Sequence, residues 1–338
     1  MRTMSFDETI EDVLAQTMAD DPRIILFGED VQLFQANLYT QFGGRRIRDT
    51  PISEGAFLGA AITAAMAGMR PVVEVSLVDF LGVAMDALLN QASKLETFSG
   101  GKWKAPFVLR TTCGGGLGGG GQHQQSLWGW LSHIPGLTVV VPSTPADAGG
   151  LLFSALQHDG PVIYMTHKLF TDFWVENLGY LGRKTVDFDL PLAGMRGTVP
   201  EKWEPIPFGQ AAIKRSGVDL TIISVGVGVH RTLEAAVMLE EEGIDTCVID
   251  LRTVSPMDTA AICEAVSSTG RLLVVDEDYQ GFGLSGELAA IILEAGINAN
   301  YGRVCTEKTI PYSRELEAQT LPNKERIVEG AIELMDRS

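Results

Sequence analysis

The stretch EGAFLGAAITAAMAGMRPVVEVS, residues 54–76, contains a helical pattern followed by a strand pattern. Residues 55–68 are nearly all small or apolar, which predicts a helix that is buried on every side. This segment is too short, and too rich in Ala and Gly, to cross a membrane. The run RPVVEVS that follows it predicts a buried strand. A helix that leads directly into a buried strand is the building unit of an α/β fold.

The same alternation extends outward through the whole chain. In the first half, strands are predicted in RIILFGED, APFVLRTT, LTVVVPS and PVIYMT, and helices near 80–95 and 144–157. A second series follows, with strands in DLTIISVG, DTCVIDLRTV and GRLLVVDEDY and helices near 228–242, 258–268 and 285–295. Strands that alternate with helices form parallel sheets with helices on both faces.

The sequence therefore predicts two doubly wound α/β domains with mainly parallel sheets. The first domain is expected over residues 1–188 and the second over residues 209–338. Residues 189–208 contain four prolines and little periodicity, which is typical of a linker. A length of 338 residues is enough for two domains with complete cores.

Charge and composition exclude some classes of function. The formal net charge is −17, so the backbone of a nucleic acid would be repelled, whereas a basic protein would be attracted. The four cysteines are scattered without CxxC spacing, which indicates reduced, structural thiols. The first residues show neither the apolar core of a signal peptide nor an Arg-rich transit pattern. A cytoplasmic protein without membrane association is expected.

Residues 113–126, CGGGLGGGGQHQQS, place seven glycines before His123. A Walker phosphate loop needs Lys and then Ser or Thr after its last glycine, but Gln122 and His123 follow Gly121. The segment leaves a predicted strand at the sheet edge where open α/β sheets bind ligands. Glycines let a backbone approach a ligand closely. An imidazole at this position could donate to an anionic substrate or move protons. The alternatives are a disordered surface loop and a structural, hydrogen-bonded histidine.

Glu54, at the start of the small, apolar helix, is the second candidate. The simpler interpretation is an acid in the first helical turn, favoured by the helix dipole, with Ser53 as the N-cap. However, the neighbouring residues are apolar rather than polar. Burial disfavours the charged form of a carboxyl, so a partly buried Glu54 is suited to holding or giving a proton.

Several segments occur in an order that resembles a known family. They are FGED, DTPISE, RPVVE followed by DF, the glycine-rich loop ending in QHQQS, HIPGLTVVVPSTPADAGGLL, GPVIYMTHKLF, DLRTVSPMDTAAI and GRLLVVDEDYQGFG. The chain resembles the beta subunit of the thiamine-diphosphate-dependent component of 2-oxo acid dehydrogenase complexes, of the pyruvate and acetoin dehydrogenase type. The resemblance covers nearly the whole chain. It implies a transketolase-like pyrimidine-binding domain followed by a transketolase C-terminal-like domain.

The resemblance also implies roles for individual residues. Glu54 matches the glutamate that hydrogen-bonds the aminopyrimidine ring of thiamine diphosphate and activates this cofactor. Phe80 matches the aromatic residue that stacks on that ring, and Ile52 matches an apolar cofactor contact. His123 matches the histidine that faces the substrate during acyl transfer to lipoyl. The family is an oxidoreductase that decarboxylates or cleaves its substrate.

One motif of this class of enzymes is absent from the sequence. Thiamine-diphosphate enzymes hold the diphosphate through Mg²⁺ bound by a Gly-Asp-Gly motif, and the chain contains no Gly-Asp-Gly. The resemblance therefore implies an alpha subunit that holds Mg²⁺, in an α₂β₂ heterotetramer with shared active sites. It also implies that the acidic C-terminal domain docks a basic domain of the lipoyl-bearing acyltransferase.

A monovalent cation such as K⁺ is a further possibility that the resemblance raises. In several relatives, backbone carbonyls hold this ion, and the matching positions are Phe107, Ala155, Leu156, His158 and Gly160. Relatives often have Asp and Asn where this chain has His158 and Gly160. Backbone ligands do not require particular side chains, so the site remains an expectation.

The substrate is less well defined by the sequence. Ser76 and Phe80 stand where branched-chain enzymes tend to have Gln and Tyr, which favours pyruvate or acetoin. The segment after Asp30 is shorter than in most relatives, which changes the expected substrate channel. Half of a split transketolase is the alternative enzyme, although it would need further His and Arg residues for sugar phosphates. A catalytically silent scaffold subunit would not need Glu54, Phe80 and His123 together.

Overall fold

The computed structural model describes residues 1–337. The strands are β1 (Arg2–Ser5), β2 (Ile24–Gly28), β3 (Ile47–Asp49), β4 (Arg70–Leu77), β5 (Val108–Cys113), β6 (Thr138–Val140), β7 (Val162–His167), β8 (Arg196–Val199), β9 (Ala212–Arg215), β10 (Leu220–Ser224), β11 (Thr246–Asp250), β12 (Thr253–Ser255), β13 (Arg271–Tyr279) and β14 (Asn300–Thr306). Each predicted buried strand is present, within a few residues of its expected bounds.

Helices connect these strands. The α-helices are α1 (Phe6–Asp20), α2 (Val31–Phe34), α3 (Ala36–Phe42), α4 (Glu54–Met66), α5 (Leu95–Phe98), α6 (Trp128–Ser132), α7 (Pro145–Gln157), α8 (Asp172–Trp174), α9 (Leu192–Met195), α10 (Val227–Glu241), α11 (Thr259–Thr269), α12 (Leu284–Glu294), α13 (Arg314–Thr320) and α14 (Lys324–Met335). Short 3-10 segments cover Val78–Ala84 and Lys168–Phe170, and π-helical segments cover Ala87–Ala92 and Val175–Tyr180. Within residues 1–337, no helix is both long and apolar enough to span a bilayer.

Two mainly parallel sheets form the two halves of the molecule. In residues 1–337, the first sheet has the strand order β12-β6-β7-β5-β4-β2-β3, and only the β12–β6 pair is antiparallel. The second sheet has the order β14-β13-β10-β11-β9, and only the β11–β9 pair is antiparallel. Helices cover both sheets, so the predicted fold class is confirmed.

The prediction that α4 is buried on every side is wrong for this chain. Its buried residues are Glu54, Phe57, Leu58, Ala61, Ile62 and Ala65. Ala56, Ala60 and Met66 on the opposite face are exposed, Met66 by 40%. Small apolar residues cover both faces, so composition does not separate the face in the core from the face outside it.

The predicted helix near 80–95 is replaced by tighter and wider turns. Residues Val78–Ala84 form a 3-10 segment, and residues Ala87–Ala92 form a π-helical segment. Gly and β-branched residues in VDFLGVA have low helix propensity, which sequence periodicity does not report. Phe80 therefore lies on a tight turn that packs against α4.

The two halves share secondary structure across their boundary. The predicted strand DTCVIDLRTV divides into β11 and β12, and β12 leaves the second sheet to pair with β6 of the first. The predicted linker is not wholly irregular, because β8 pairs antiparallel with β1 at the start of the chain. The predicted domain bounds of 1–188 and 209–338 stay a prediction.

Candidate active site

The carboxyl ends of β2, β4 and β5 meet at one edge of the first sheet, and Glu54 begins α4 beside this edge. Glu54 is only 8% exposed, as expected for a carboxyl among apolar neighbours. Ser53 makes no side-chain capping bond, so the simpler interpretation of a capped first turn lacks its cap. Within residues 1–337, the Glu54 carboxyl forms no hydrogen bond with another residue.

A second carboxyl lies close to Glu54. Glu29 follows β2 directly, and its Oε1 atom is buried without a hydrogen-bond partner in the described part of the chain. Burial, and then the negative charges of Glu54 and Asp30, raise the pKa of Glu29 above its ordinary value. Two neighbouring carboxyls without protein partners form a polar site that can accept a donor or share a proton.

The structure brings the side chains of Phe80 and His123 together. The two rings meet edge to face, with centroids 6.0 Å apart and planes at 82°. Nδ1 of His123 lies 3.3 Å from the Gly119 carbonyl oxygen. Asp79 holds the glycine-rich loop to this segment, because its Oδ1 accepts a 2.7 Å hydrogen bond from Nε2 of Gln125. The 3-10 segment therefore carries Phe80 and also fixes the loop that carries His123.

Ile52 is placed differently from these three residues. Its side chain is 83% exposed, just before α4. A large apolar side chain at this exposure contacts little of its own chain. The structure thus places Glu54, Phe80 and His123 around one sheet edge and leaves Ile52 open beside them.

The glycine-rich loop is packed rather than free in the described structure. The Gly115 N–H donates to Oε1 of Glu277 at 2.8 Å, and the Ser126 hydroxyl donates to the same oxygen at 3.1 Å. Nε2 of His167 lies 3.0 Å from that oxygen, while Nδ1 of His167 accepts from the Leu169 N–H. This pattern fixes the imidazole proton on Nε2. Glu277 therefore anchors the start and end of the loop to the second sheet.

Lys168 also binds the glycine-rich loop. Its ammonium group is buried and donates to the backbone carbonyl of His123. Burial lowers the pKa of Lys168 to about 8, against the opposing effect of nearby Asp79, Glu277 and Glu317. Sequence inspection did not identify Lys168 or Glu277. Lys168 binds His123 from 45 positions away, and Glu277 binds His167 from 110 positions away. No local motif signals such pairs.

Two buried acids from β13 contact the segment that follows the loop. Asp276 accepts from Nε1 of Trp128, and Asp278 accepts from the Gly129 N–H at 2.8 Å. Burial, and then the charge of Asp276, raise the pKa of Asp278 well above its model-peptide value of 3.8. These contacts hold α6 of the first half against the second half.

We expect these acids to make the free energy of unfolding fall as the pH rises from 5 to 8. A carboxyl whose pKa is higher in the folded state stabilises that state most at a pH below its unfolded-state pKa of 3.8. This stabilisation is lost as the pH rises through its folded-state pKa, which is about 8 for Asp278. Urea denaturation of the wild type and of Asp278→Asn at both pH values measures the effect. The slope with pH should be smaller in the variant, and equal slopes would contradict the assignment.

Four of the five carbonyl groups predicted to hold a monovalent cation accept hydrogen bonds from other groups of the chain. The Arg70 guanidinium donates to the carbonyls of His158 at 2.8 Å and Leu156 at 3.3 Å. The Phe107 carbonyl accepts from Val162. The Ala155 carbonyl accepts a hydrogen bond from the His158 N–H, and the Gly160 carbonyl accepts none within residues 1–337. Arg70 thus supplies positive charge where the ion was expected, and the cation site stays a prediction.

Comparisons with known proteins agree with the fold and the order of the motifs. The family described as "Transketolase, pyrimidine binding domain" matches residues 2–171, and "Transketolase, C-terminal domain" matches residues 209–327. Among solved structures, a "Split gene transketolase, inactive beta4 tetramer" aligns with a TM-score of 0.75 over 98% of both chains. At 20% sequence identity, this similarity shows the fold alone.

Curated relatives extend over almost the full chain. The beta subunit of acetoin:2,6-dichlorophenolindophenol oxidoreductase from Cupriavidus necator is 38% identical, covering 99% of this chain and 98% of its own. The beta subunits of 2-oxoisovalerate dehydrogenase and of the pyruvate dehydrogenase E1 component from Bacillus subtilis are 36% and 35% identical, each over 99% of this chain and all of their own. The chain therefore belongs to the family of dehydrogenase E1 beta subunits, oxidoreductase components built from transketolase-type domains.

Proposed function

We propose that this chain is the beta subunit of a thiamine-diphosphate-dependent pyruvate or acetoin dehydrogenase, active only with an alpha subunit. The observation that carries the proposal is Glu54, a residue only 8% exposed whose carboxyl has no hydrogen-bond partner within residues 1–337, near the Phe80–His123 pair. The relatives named for acetoin oxidoreductase and pyruvate dehydrogenase support the substrate class. Phe80 and Ser76 favour these substrates over branched 2-oxo acids.

The residues at the sheet edge fit the aminopyrimidine half of the cofactor. Glu54 and Glu29 offer carboxyl oxygens without protein partners, and Phe80 offers an aromatic face or edge. A ring with amino and imino nitrogens satisfies both carboxyls and stacks on an aromatic side chain. Ile52 would add an apolar contact from its exposed position.

The roles of the chain's own residues follow from this placement. Glu54 would exchange a proton with a ring nitrogen of the aminopyrimidine, which requires a carboxyl shielded from water. His123 would face the substrate and move a proton during acyl transfer to lipoyl. The chemistry that thiamine diphosphate supplies when bound is nucleophilic cleavage of the bond beside a substrate carbonyl.

An alpha subunit would complete the site. The edge around Glu54 is bordered by exposed apolar residues, namely Ile52 at 83% and Val83 at 72% exposure. Exposed apolar surface of this kind marks interaction sites. Because the sequence has no Gly-Asp-Gly, the alpha subunit would hold Mg²⁺ and the diphosphate. Among residues 1–337, no cluster of three or more His, Cys, Asp or Glu side chains suits a metal ion. We propose an α₂β₂ heterotetramer.

The remaining partner would be the lipoyl-bearing acyltransferase. A net charge of −17 favours attraction of a basic docking domain to this chain. A monovalent cation such as K⁺ at the carbonyls of Phe107, Ala155, Leu156, His158 and Gly160 stays part of the proposal. A cytoplasmic location likewise stays an expectation.

Initial rates with 2,6-dichlorophenolindophenol as electron acceptor test the proposal. The chain would be co-purified with its alpha subunit and supplied with pyruvate, acetoin, 2-oxoisovalerate or a pair of sugar phosphates. We expect turnover of pyruvate or acetoin. Ketol transfer between the sugar phosphates reduces no acceptor and is followed by analysis of the sugar products. Such transfer would support a split transketolase instead, and preference for 2-oxoisovalerate would contradict the substrate assignment.

A further inference from the structure

The glycine-rich loop encloses a carboxylate that belongs to the second half of the chain. The Gly116 N–H donates to Oε1 of Glu317 at 3.1 Å, and the Gly118 N–H donates to Oε2 at 3.0 Å. Nε2 of Gln124 also donates to Oε1 of Glu317. Glu317 lies on α13 and is only 2% exposed. Each oxygen of this carboxylate is therefore bound by the loop.

The backbone of the loop is shaped for an anion. Gly114, Gly116, Gly118 and Gly120 have φ of 93°, 102°, 78° and 68°, and the residues between them do not have positive φ. Such alternation turns successive N–H groups toward one side, which forms a concave anion-binding site. The occupant is the side chain of Glu317, so the loop is a cradle for an internal carboxylate and not for a phosphate.

The Glu317 carboxylate binds Gln124, the residue that follows His123. Gln124 donates to Glu317 through Nε2 and accepts from the Leu117 N–H at 2.9 Å through Oε1. The amide of Gln124 thus closes the loop between its first glycines and its histidine. The carbonyl of His123 is held separately by Lys168. Charged hydrogen bonds of this kind are stronger and more directional than neutral ones.

We propose that Glu317 is a positioning residue for His123: it orders residues 114–125 and so sets the direction of the imidazole toward the substrate. The proposal rests on the proposed function in one respect, namely that His123 faces the substrate. It places control of this group in the second half of the chain. The Glu317–Gln124 contact spans 193 positions of sequence, so the packing of the two halves would determine the geometry of His123.

Hydrogen–deuterium exchange tests the ordering without reference to turnover. Glu317→Gln keeps the shape of the side chain but has one acceptor oxygen and an NH₂ group that faces loop donors. We expect exchange in 114–126 to be roughly tenfold or more faster, because charged hydrogen bonds are lost, and exchange in strand β10 to be unchanged. Glu315→Gln is the matched control, since Glu315 is exposed on the same helix. Equal loop exchange in both variants would overturn the proposal.

A double-mutant cycle tests whether Glu317 acts through His123. In the complex with the alpha subunit, Glu317→Gln should lower kcat roughly tenfold to a hundredfold, as small misplacements do. The KM for thiamine diphosphate should stay within about twofold. Adding Glu317→Gln to His123→Ala should lower kcat no further. If the fold-losses of kcat in the two single variants multiply in the double variant, the proposal is overturned. If His123→Ala alone keeps full turnover, the proposed role of His123 fails, and exchange at the His123 amide still decides whether Glu317 orders the loop.

Discussion

Replacing Glu54 by Gln should lower kcat with pyruvate or acetoin by at least about a hundredfold, because proton transfer by a positioned carboxyl typically contributes this much or more. Gln has nearly the same shape as Glu and cannot exchange the proton. Glu54 forms no hydrogen bond within residues 1–337, so this nearly isosteric substitution removes no hydrogen bond of the folded chain. The melting temperature should therefore not fall.

Glu96→Gln is the matched control for this prediction. Glu96 is also an acid in a first helical turn, but it is exposed and lies on α5. Steady-state rates of both variants, measured with the alpha subunit under saturating thiamine diphosphate and Mg²⁺, give the comparison. Full activity of Glu54→Gln would refute the catalytic assignment. Equal losses in both variants would indicate a general effect of charge.

Gly114→Ala should destabilise the protein by about 3 kcal/mol or more, through overpacking combined with left-handed strain. Gly114 has φ of 93°, and an added Cβ would lie 1.9 Å from Nε2 of His167. The imidazole cannot move aside freely, because Glu277 and the Leu169 N–H bind its two nitrogens. Chemical denaturation of the variant measures the loss.

Gly270→Ala separates the two causes. Gly270 ends α11 with φ of 67°, and nothing lies within 4 Å of the position of an added Cβ. Only the left-handed strain applies there, so we expect a loss of about 1 kcal/mol. If Gly114→Ala costs no more than Gly270→Ala, the tight contact between the loop and His167 is not as described.

The buried strands and the principal helices could be predicted because their signal is local. The predicted strand at 70–76 is β4 (Arg70–Leu77), and the predicted helix at 144–157 is α7 (Pro145–Gln157), which the Thr144 side chain caps by accepting from the Asp147 N–H. Periodicity, capping residues and prolines act over a few positions, which a single sequence displays directly. The separate roles of Phe80 and His123 came from the family resemblance instead, and their mutual contact was not predicted.

The features that sequence inspection missed depend on distant contacts. Strand β12 pairs with β6 of the first sheet, and β6 lies more than a hundred positions earlier in the chain. A local pattern could not reveal this pairing. Glu277 binds the glycine-rich loop from 151 or more positions away, and Glu317 binds it from 193 or more positions away. An acid in a strand or a short helix looks the same in sequence whether it faces water or a loop N–H. Only the packing of the two halves distinguishes these cases.

The central claim is that this chain holds the aminopyrimidine side of thiamine diphosphate while another polypeptide holds the diphosphate. Isothermal titration calorimetry with thiamine diphosphate and Mg²⁺ tests it most directly, on this chain alone and on its complex with the alpha subunit. We predict tight, Mg²⁺-dependent binding only for the complex. Tight, Mg²⁺-dependent binding by the chain alone, accompanied by full turnover, would contradict the claim.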